Sequence, residues 1–383
     1  MNILYILKHD PWGIGGGCYA SRCYFELFTQ IFENSNFYIL YCSEFSSNLL
    51  SHISKDYHTE GISPMTWTTK VLSPVTKVMD RFHRRASELI KKTNFDWCIF
   101  DHSSIAGSLV GICKKMNVKT IVLNHNCEFD YYRDSHPKWY KTIATLPVVR
   151  WNERRSYKDC DYNLFLTQED LKQFKSTYGF SETKGIVSGC FLHKDSTISS
   201  AHAPQNVQKR IVISGTIGNV QNLDGIYHFL DEFYNIIPSD IEIVIAGKNP
   251  PEALKERVNN LSNITLVANP VDIKEIVRNC DIFLCPARLG GGQKLRIMDG
   301  LLEGLPVIAH HVSARGYSVF MKAGYFWEYS DKNSFICAVK NVLEFLEEKN
   351  DSRRQIQQMA LHEFSFEEKV KMLKTSVIYG FSL

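Results

Sequence analysis

The sequence predicts an α/β protein of two doubly wound, Rossmann-like domains, and three observations lead there. Short β-rich runs alternate with turns and helical stretches from Asn2 to about Thr167. The composition then breaks at residues 195–209, where Ser, Thr, Ala, Pro, Gln and Asn replace large apolar residues. The alternation restarts at Arg210. Strand–turn–helix alternation implies a parallel sheet covered by helices, and a polar, Pro-containing break reads as a linker. The expected domains are therefore 1–194 and 210–363, joined by 195–209.

Taken in order, Asn2–Leu7 reads as a first strand that meets Lys8, His9 and Asp10 before the turn Gly13–Gly17. With neither a basic leader nor a small-residue cleavage site, it reads as core strand and not as signal peptide. A helical stretch runs to about Phe32, and strands follow at Phe37–Tyr41, Trp97–Phe100, Thr120–Asn124 and Tyr162–Thr167. In the second half strands are expected at Arg210–Ser214, Ile241–Ala246, Ile264–Val267, Ile282–Pro286 and from Pro306. Helices are expected at Leu223–Ile236, up to about Asn259, and at Ile273–Arg278. A ligand is expected between the two domains, at the carboxyl ends of the strands.

Composition excludes several classes. At 44% apolar and 22% charged residues the chain is ordinary for a globular protein, and no run approaches the roughly 18 apolar residues of a membrane helix. A net charge of +3 gives no electrostatic footprint for nucleic acid. The eleven cysteines are scattered without a C-x-x-C pair, which fits buried thiols in a reducing cytoplasm better than disulfides or a metal. One local charge feature stands out. Residues 70–92 carry Lys70, Lys77, Arg81, Arg84, Arg85, Lys91 and Lys92 against Asp80 and Glu88, with an apolar stripe from Val71 to Ile90. Such a segment either lies on the anionic inner face of a membrane or packs on its own domain with a solvated basic face.

The second half holds three strand-to-helix turns: Gly215–Asn219, Gly247–Pro250 and the triplet Gly290, Gly291, Gly292. A glycine turn entering a helix leaves backbone N–H groups unpaired at the positive end of the helix dipole, where a phosphate can sit. Lys294 and Arg296 add mobile cations, and Asp299 lies three residues beyond Arg296 on the same helical face. The alternative for that pair is an ordinary surface ion pair. In the first half Gly15, Gly16 and Gly17 let backbone approach a ligand, and His102 and His125 both follow strands.

These segments resemble the GT-B glycosyltransferases of the large retaining family 4 type. Gly-Gly-Gly-Gln-Lys-Leu-Arg-Ile-Met-Asp followed by Glu-Gly-Leu-Pro-Val-Ile-Ala is similar to the family's donor signature, and Ser-Gly-Thr-Ile-Gly-Asn and Ile-Ala-Gly-Lys-Asn-Pro to its first two donor loops. Gly15–Gly17 and His125-Asn126-Cys127-Glu128 resemble its acceptor-side elements. The resemblance implies two facing Rossmann-like domains and a last segment, 364–383, that returns to the first. It implies a donor site in which Lys294 and Arg296 hold the diphosphate, the Gly291 and Gly292 amides lie near sugar or phosphate, and Asp299 holds ribose hydroxyls. Gly215, Thr216, Lys248, Gly290 and the loop 268–272 border the donor. His102 would position the sugar, and Gly15, Gly16, Gly17, His125 and Glu128 would bind the acceptor. The implied reaction moves a sugar from a nucleoside-diphosphate sugar to a glycan or lipid-linked glycan, with retention and without a metal or other cofactor, in the cytoplasm and in surface polysaccharide or glycoconjugate synthesis. Two departures stand beside it: Thr216 and Ile217 where the family often has Arg, and Gly291 where it often has Glu. A sugar-nucleotide 2-epimerase on the same architecture and an inactive nucleotide-sugar-binding partner remain the alternatives.

Overall fold

The computed structural model describes residues 1–13, 15–63, 76–107, 109–135, 139–181, 184–200, 208–348 and 351–378. The chain divides into two compact units, Met1–Ser196 with Ser365–Leu383, and Thr197–Phe364. Each is built on one parallel sheet.

The first sheet comprises β1 (Asn2–Ile6), β2 (Asn36–Cys42), β3 (His58–Ile62), β4 (Trp97–Phe100), β5 (Lys119–Asn124), β6 (Tyr162–Phe165) and β7 (Lys184–Val187). Its spatial order is β3-β2-β1-β4-β5-β6-β7. The central strands are buried on both faces, Ile3–Ile6 and Cys98–Phe100 being fully covered, as a sheet with helices on both sides requires. The helix Thr76–Lys92 lies on this sheet, with Ala86, Leu89 and Ile90 in one core with Leu4, Ile6 and Phe100. Arg85 on the same helix pairs with Glu60 of β3 at 2.6 Å, so part of the basic face is engaged within the unit. Residues 70–75 of the basic stretch lie outside the described residues. The last helix, Phe366–Leu373, belongs to this unit, where Phe366 packs on Phe191.

The second sheet comprises β8 (Arg210–Thr216), β9 (Glu242–Lys248), β10 (Ile264–Ala268), β11 (Ile282–Cys285), β12 (Val307–His310) and β13 (Phe326–Tyr329), in the order β10-β9-β8-β11-β12-β13. Its core joins Ile211, Ile213, Ile243, Ile245, Ile282 and Leu284 to the helices Val220–Glu232 and Lys332–Glu348.

In both sheets the chain winds outward over three strands and then crosses back beside its first. The strand order therefore reverses at β1/β4 and at β8/β11. At such a reversal the loops leaving the two strands turn to opposite sides and open a crevice at the carboxyl edge. All eleven cysteines are free thiols, and among the described residues no helix is long and apolar enough to cross a membrane.

Candidate functional site

At the carboxyl edge of the second sheet the three glycine turns are tied together. Parallel register sets Gly215 opposite Gly247 and Thr216 opposite Lys248. A Cβ at Gly247 would overlap the Gly215 carbonyl oxygen, so glycine is what lets these strand ends approach. Gly218 N–H donates to Lys248 O at 3.2 Å, and Asn222 Nδ2 donates to Thr216 O at 2.7 Å. The second turn is tied to the loop after β10 by Asn249 N–H, which donates to Asn269 Oδ1 at 2.9 Å. Gly225, on the helix Val220–Glu232, lies where an added Cβ would be 2.7 Å from Pro286 O and from Ala287 Cα of the third turn.

That third turn bends through left-handed backbone at Gly290 (φ 88°) and Gly292 (φ 67°) into the helix Leu295–Leu302, whose start has no side-chain cap. The N–H groups of Gly291 and Gly292 meet no acceptor among the described residues. Lys294 ends the turn as the residue before the helix, its Nζ donating to Gly291 O at 3.1 Å. Arg296 reaches toward the first turn, with Nη1 3.3 Å from where a Gly215 Cβ would stand. It lines a recess with Ser214, Gly215, Ile217, Asn222 and Ala287. No ion pair joins Arg296 to Asp299, and among the described residues the guanidinium has no hydrogen-bond partner. The surface-pair alternative for these two residues does not form. In the same recess Asn222 Oδ1 is buried without a partner. Burial pushes the Asp299 carboxyl up to about 6; Lys274 pulls it down, Glu303 up again, and Arg296 down. An unpaired guanidinium, unpaired amides and a helix start together favour an anion, and they are strongest for charge that grows during a reaction.

The first unit gathers a second group of side chains at its own reversal point. His102 precedes the short helix Ser103–Ala106, and its Nδ1 accepts from Ser104 N–H at 3.2 Å. The ring proton therefore sits on Nε2, 3.1 Å from Glu128 Oε1. Lys8 Nζ lies 3.2 to 3.3 Å from both ring nitrogens. Glu128 opens the helix Glu128–Ser135, and a carboxyl group from elsewhere caps that helix: Glu153 accepts from Glu128 N–H at 2.6 Å, Phe129 N–H at 3.0 Å and the Tyr178 hydroxyl at 2.7 Å. His125 Nε2 donates to Asp101 O at 2.7 Å, while Asp101 Oδ2 accepts from Ser21 Oγ. The His102 and His125 rings stack at 5.6 Å, and His9 meets both edge-on at 5.8 and 6.3 Å.

Burial governs the charges here. It raises Glu128, but His102 and then Lys8 outweigh it and hold that carboxyl at about 2. It pushes Glu153 up to about 8 and His9 down to about 4, and it lowers His102 and Lys8. At neutral pH this site holds an ionised Glu128 and a neutral His9 imidazole. Among the described residues no group of three His, Cys, Asp or Glu side chains is arranged to hold a metal ion.

Of the expected site residues, Gly215, Thr216, Lys248, the glycine triplet, Lys294 and Arg296 come together in the second unit. Asp299 sits one turn along the same helix, and Ile217 of the first turn is core, 1% exposed. In the first unit His102, His125 and Glu128 come together, all nearly buried. Gly15 (φ 126°) and Gly16 open the helix Gly16–Ile31, and a Cβ at Gly17 would lie 3.6 Å from the His9 ring. Sequence reasoning left out Lys8, His9, Asp101 and Glu153. Three of these fall within three residues of the end of β1 or β4, a position that the alternation alone marks.

Comparison with known proteins places the second unit. Residues 208–345 match the family described as Glycosyl transferases group 1. No curated protein matches the chain. Among solved structures, sucrose-phosphate synthase of Thermosynechococcus elongatus is similar over 99% of this chain and 98% of its own, with a TM-score of 0.72 at 11% identity. HepE of Anabaena, solved in complex with UDP-glucose, is similar over 100% of both chains, with a TM-score of 0.65 at 12% identity. The lipopolysaccharide outer core galactosyltransferase WaaB is similar over 100% of both chains, with a TM-score of 0.67 at 12% identity.

Proposed function

We infer that the chain is a glycosyltransferase of the GT-B architecture, because residues 208–345 match the group 1 glycosyltransferase family and the whole chain shares the fold of sucrose-phosphate synthase. The reading is transfer of a sugar from a nucleoside-diphosphate sugar to a carbohydrate or lipid-linked glycan hydroxyl. One observation carries it: at β8/β11 an unpartnered Arg296 guanidinium and the free amides of Gly291 and Gly292 converge with Lys294 on a single edge. Breaking the bond to a diphosphate builds negative charge on the leaving group, and fixed amides and cations lower the barrier by stabilising it. Asp299 would take the ribose hydroxyls, and Lys248 with the loop 268–272 would border the base. These cations do the work that a metal does in other transferases, so no cofactor is called for. Because HepE is solved with UDP-glucose, UDP-sugars are the first donors to try.

His125, Glu128 and the Gly15–Gly17 turn would receive the acceptor, with His102 positioning the sugar. Retention is what the family resemblance implies, and a same-face displacement guided by the leaving phosphate would fit the lack of a carboxylate nucleophile among the donor turns. The WaaB likeness favours a role in surface polysaccharide or glycoconjugate synthesis; the basic stretch 70–92 would be the peripheral contact if the acceptor is held at the cytoplasmic face of a membrane.

A thermal-shift screen against UDP-, GDP- and dTDP-sugars tests the donor site, because a ligand that binds only the folded state raises its stability. No shift with any of them removes the assignment. A nucleotide-sugar-binding partner without turnover is the second reading, favoured by the buried Ile217 where the resemblance leads one to expect Arg. Turnover that disappears in Arg296→Ala and Asp299→Ala excludes it, and a product formed from donor alone would mark an epimerase.

A further inference from the structure

We propose that His9 is a ligand-contacting residue, the imidazole through which the first unit hydrogen-bonds a hydroxyl of the acceptor carbohydrate. The inference rests on the acceptor assignment above and adds a residue that neither the sequence motifs nor the family match marks.

Three imidazoles meet at the β1/β4 reversal, and two of them are almost wholly covered, His102 with both ring nitrogens engaged and His125 with one. His102 has Nδ1 taken by Ser104 N–H and Nε2 by Glu128, and only 3% of its surface is exposed. His125 gives Nε2 to Asp101 O and is 7% exposed. His9 is half-buried, and its ring nitrogens bond to no described residue. It is nevertheless held in place, its ring edge-on to both other rings at 5.8 and 6.3 Å. Gly17 completes the setting. A Cβ there would lie 3.6 Å from both Cδ2 and Nε2 of His9, so any longer side chain at that position would cover the nitrogen that glycine leaves open.

The ring is also in the right state. Burial drives its pKa to about 4, with Asp101 opposing and Lys8, His102 and His125 adding to the fall. A neutral imidazole carries one donor and one acceptor, which is what a sugar hydroxyl offers in return. A cationic ring would select a carboxylate or phosphate instead.

The test uses the full chain labelled with 15N-histidine and saturated with UDP. Methyl α-glucoside, methyl β-galactoside, methyl α-mannoside and methyl β-N-acetylglucosaminide are titrated while imidazole nitrogens are read by long-range correlation spectra. His9 resonances, identified by their loss in His9→Phe, are expected to move with at least one glycoside, alone or together with those of His102 and His125. His9→Phe, which keeps the ring packing, should weaken that glycoside about 2- to 10-fold, the range for one net hydrogen bond, and His9→Asn should recover part of it. Movement confined to His102 or His125, unchanged glycoside affinity in His9→Phe, or no imidazole response to any of the four overturns the proposal. Thermal shift with UDP-glucose separates the two failures: a shift equal in wild type and His9→Phe leaves the donor reading standing when His9 fails, and its absence in wild type means that the donor reading itself has failed.

Discussion

Gly225→Ala tests whether the donor turns depend on close approach of a helix that carries none of the expected site residues. Gly225 lies on the helix Val220–Glu232, and a Cβ there would stand 2.7 Å from Pro286 O and Ala287 Cα and 2.8 Å from Ala287 N. All three are backbone atoms of the turn after β11, so no rotamer change can relieve them. Reaching ordinary contact at 3.4 Å means opening the helix from that turn by about 0.7 Å. In an interior packed at crystal density, an extra methyl without space costs about 1–3 kcal/mol. For a unit of this size that is a fall in Tm of about 2–10 °C. The same displacement carries the first turn away from Arg296 and the glycine triplet, and UDP-glucose affinity should fall about 10-fold, as small misplacements at a preorganised site do. Differential scanning calorimetry gives the first number and isothermal titration the second. Gly324→Ala is the control: its backbone is left-handed (φ 74°) and its added Cβ meets nothing within 4 Å, so it should lose stability and keep affinity. A Gly225→Ala protein with wild-type Tm and wild-type UDP-glucose binding refutes the close-approach reasoning.

Asp299→Asn should stabilise the free protein and weaken the donor. With the folded pKa at about 6 against 3.8, the native state holds the proton more tightly, so stability falls as pH rises between these values. About 2 pH units correspond to about 2–3 kcal/mol at neutral pH; urea melts at pH 4 and 7 should show that loss in wild type and not in the variant. Glu128→Gln should destabilise the first unit by about 3 kcal/mol at pH 7, because it leaves the enclosed Lys8 without its counter-charge. Glu128 lies below its unfolded value, so its contribution is present above about pH 4.5 and is lost as pH falls toward 2, which an acid titration followed by circular dichroism reads. Arg296→Ala should weaken UDP-glucose by about 10- to 100-fold with little change in Tm, since its guanidinium supports no described residue. Lys294→Ala should do less, because the wild-type ammonium must first release the Gly291 carbonyl.

The strands that the sequence left unread share one property. β3, β7 and β13 all lie at sheet edges. Edge strands are covered on one side only, and His58–Ile62, with no fully buried residue, has no apolar run to read. Central strands such as Ile282–Cys285 are buried on both faces and appear as unbroken apolar runs. Glycine is legible where it bends a turn, as at 290–292, and illegible where it admits a neighbour: Gly225 and Gly300 sit inside helices, the latter with its missing Cβ against the Phe283 ring. His9 and Lys8 look like loop residues until the strand order sets β1 beside β4. Glu153 lies 25 residues beyond the start of the helix it caps, a distance at which no local pattern operates. Chemistry near strand ends is thus readable by position, while the partners that hold it depend on topology.

A crystal structure of the chain with UDP-glucose tests the central claim most directly. The diphosphate is expected at the start of the helix Leu295–Leu302, within hydrogen-bond distance of the Gly291 and Gly292 amides and of Arg296, with Lys294 swung off the Gly291 carbonyl. A diphosphate bound elsewhere on the second unit, with Arg296 still unpartnered, would contradict it.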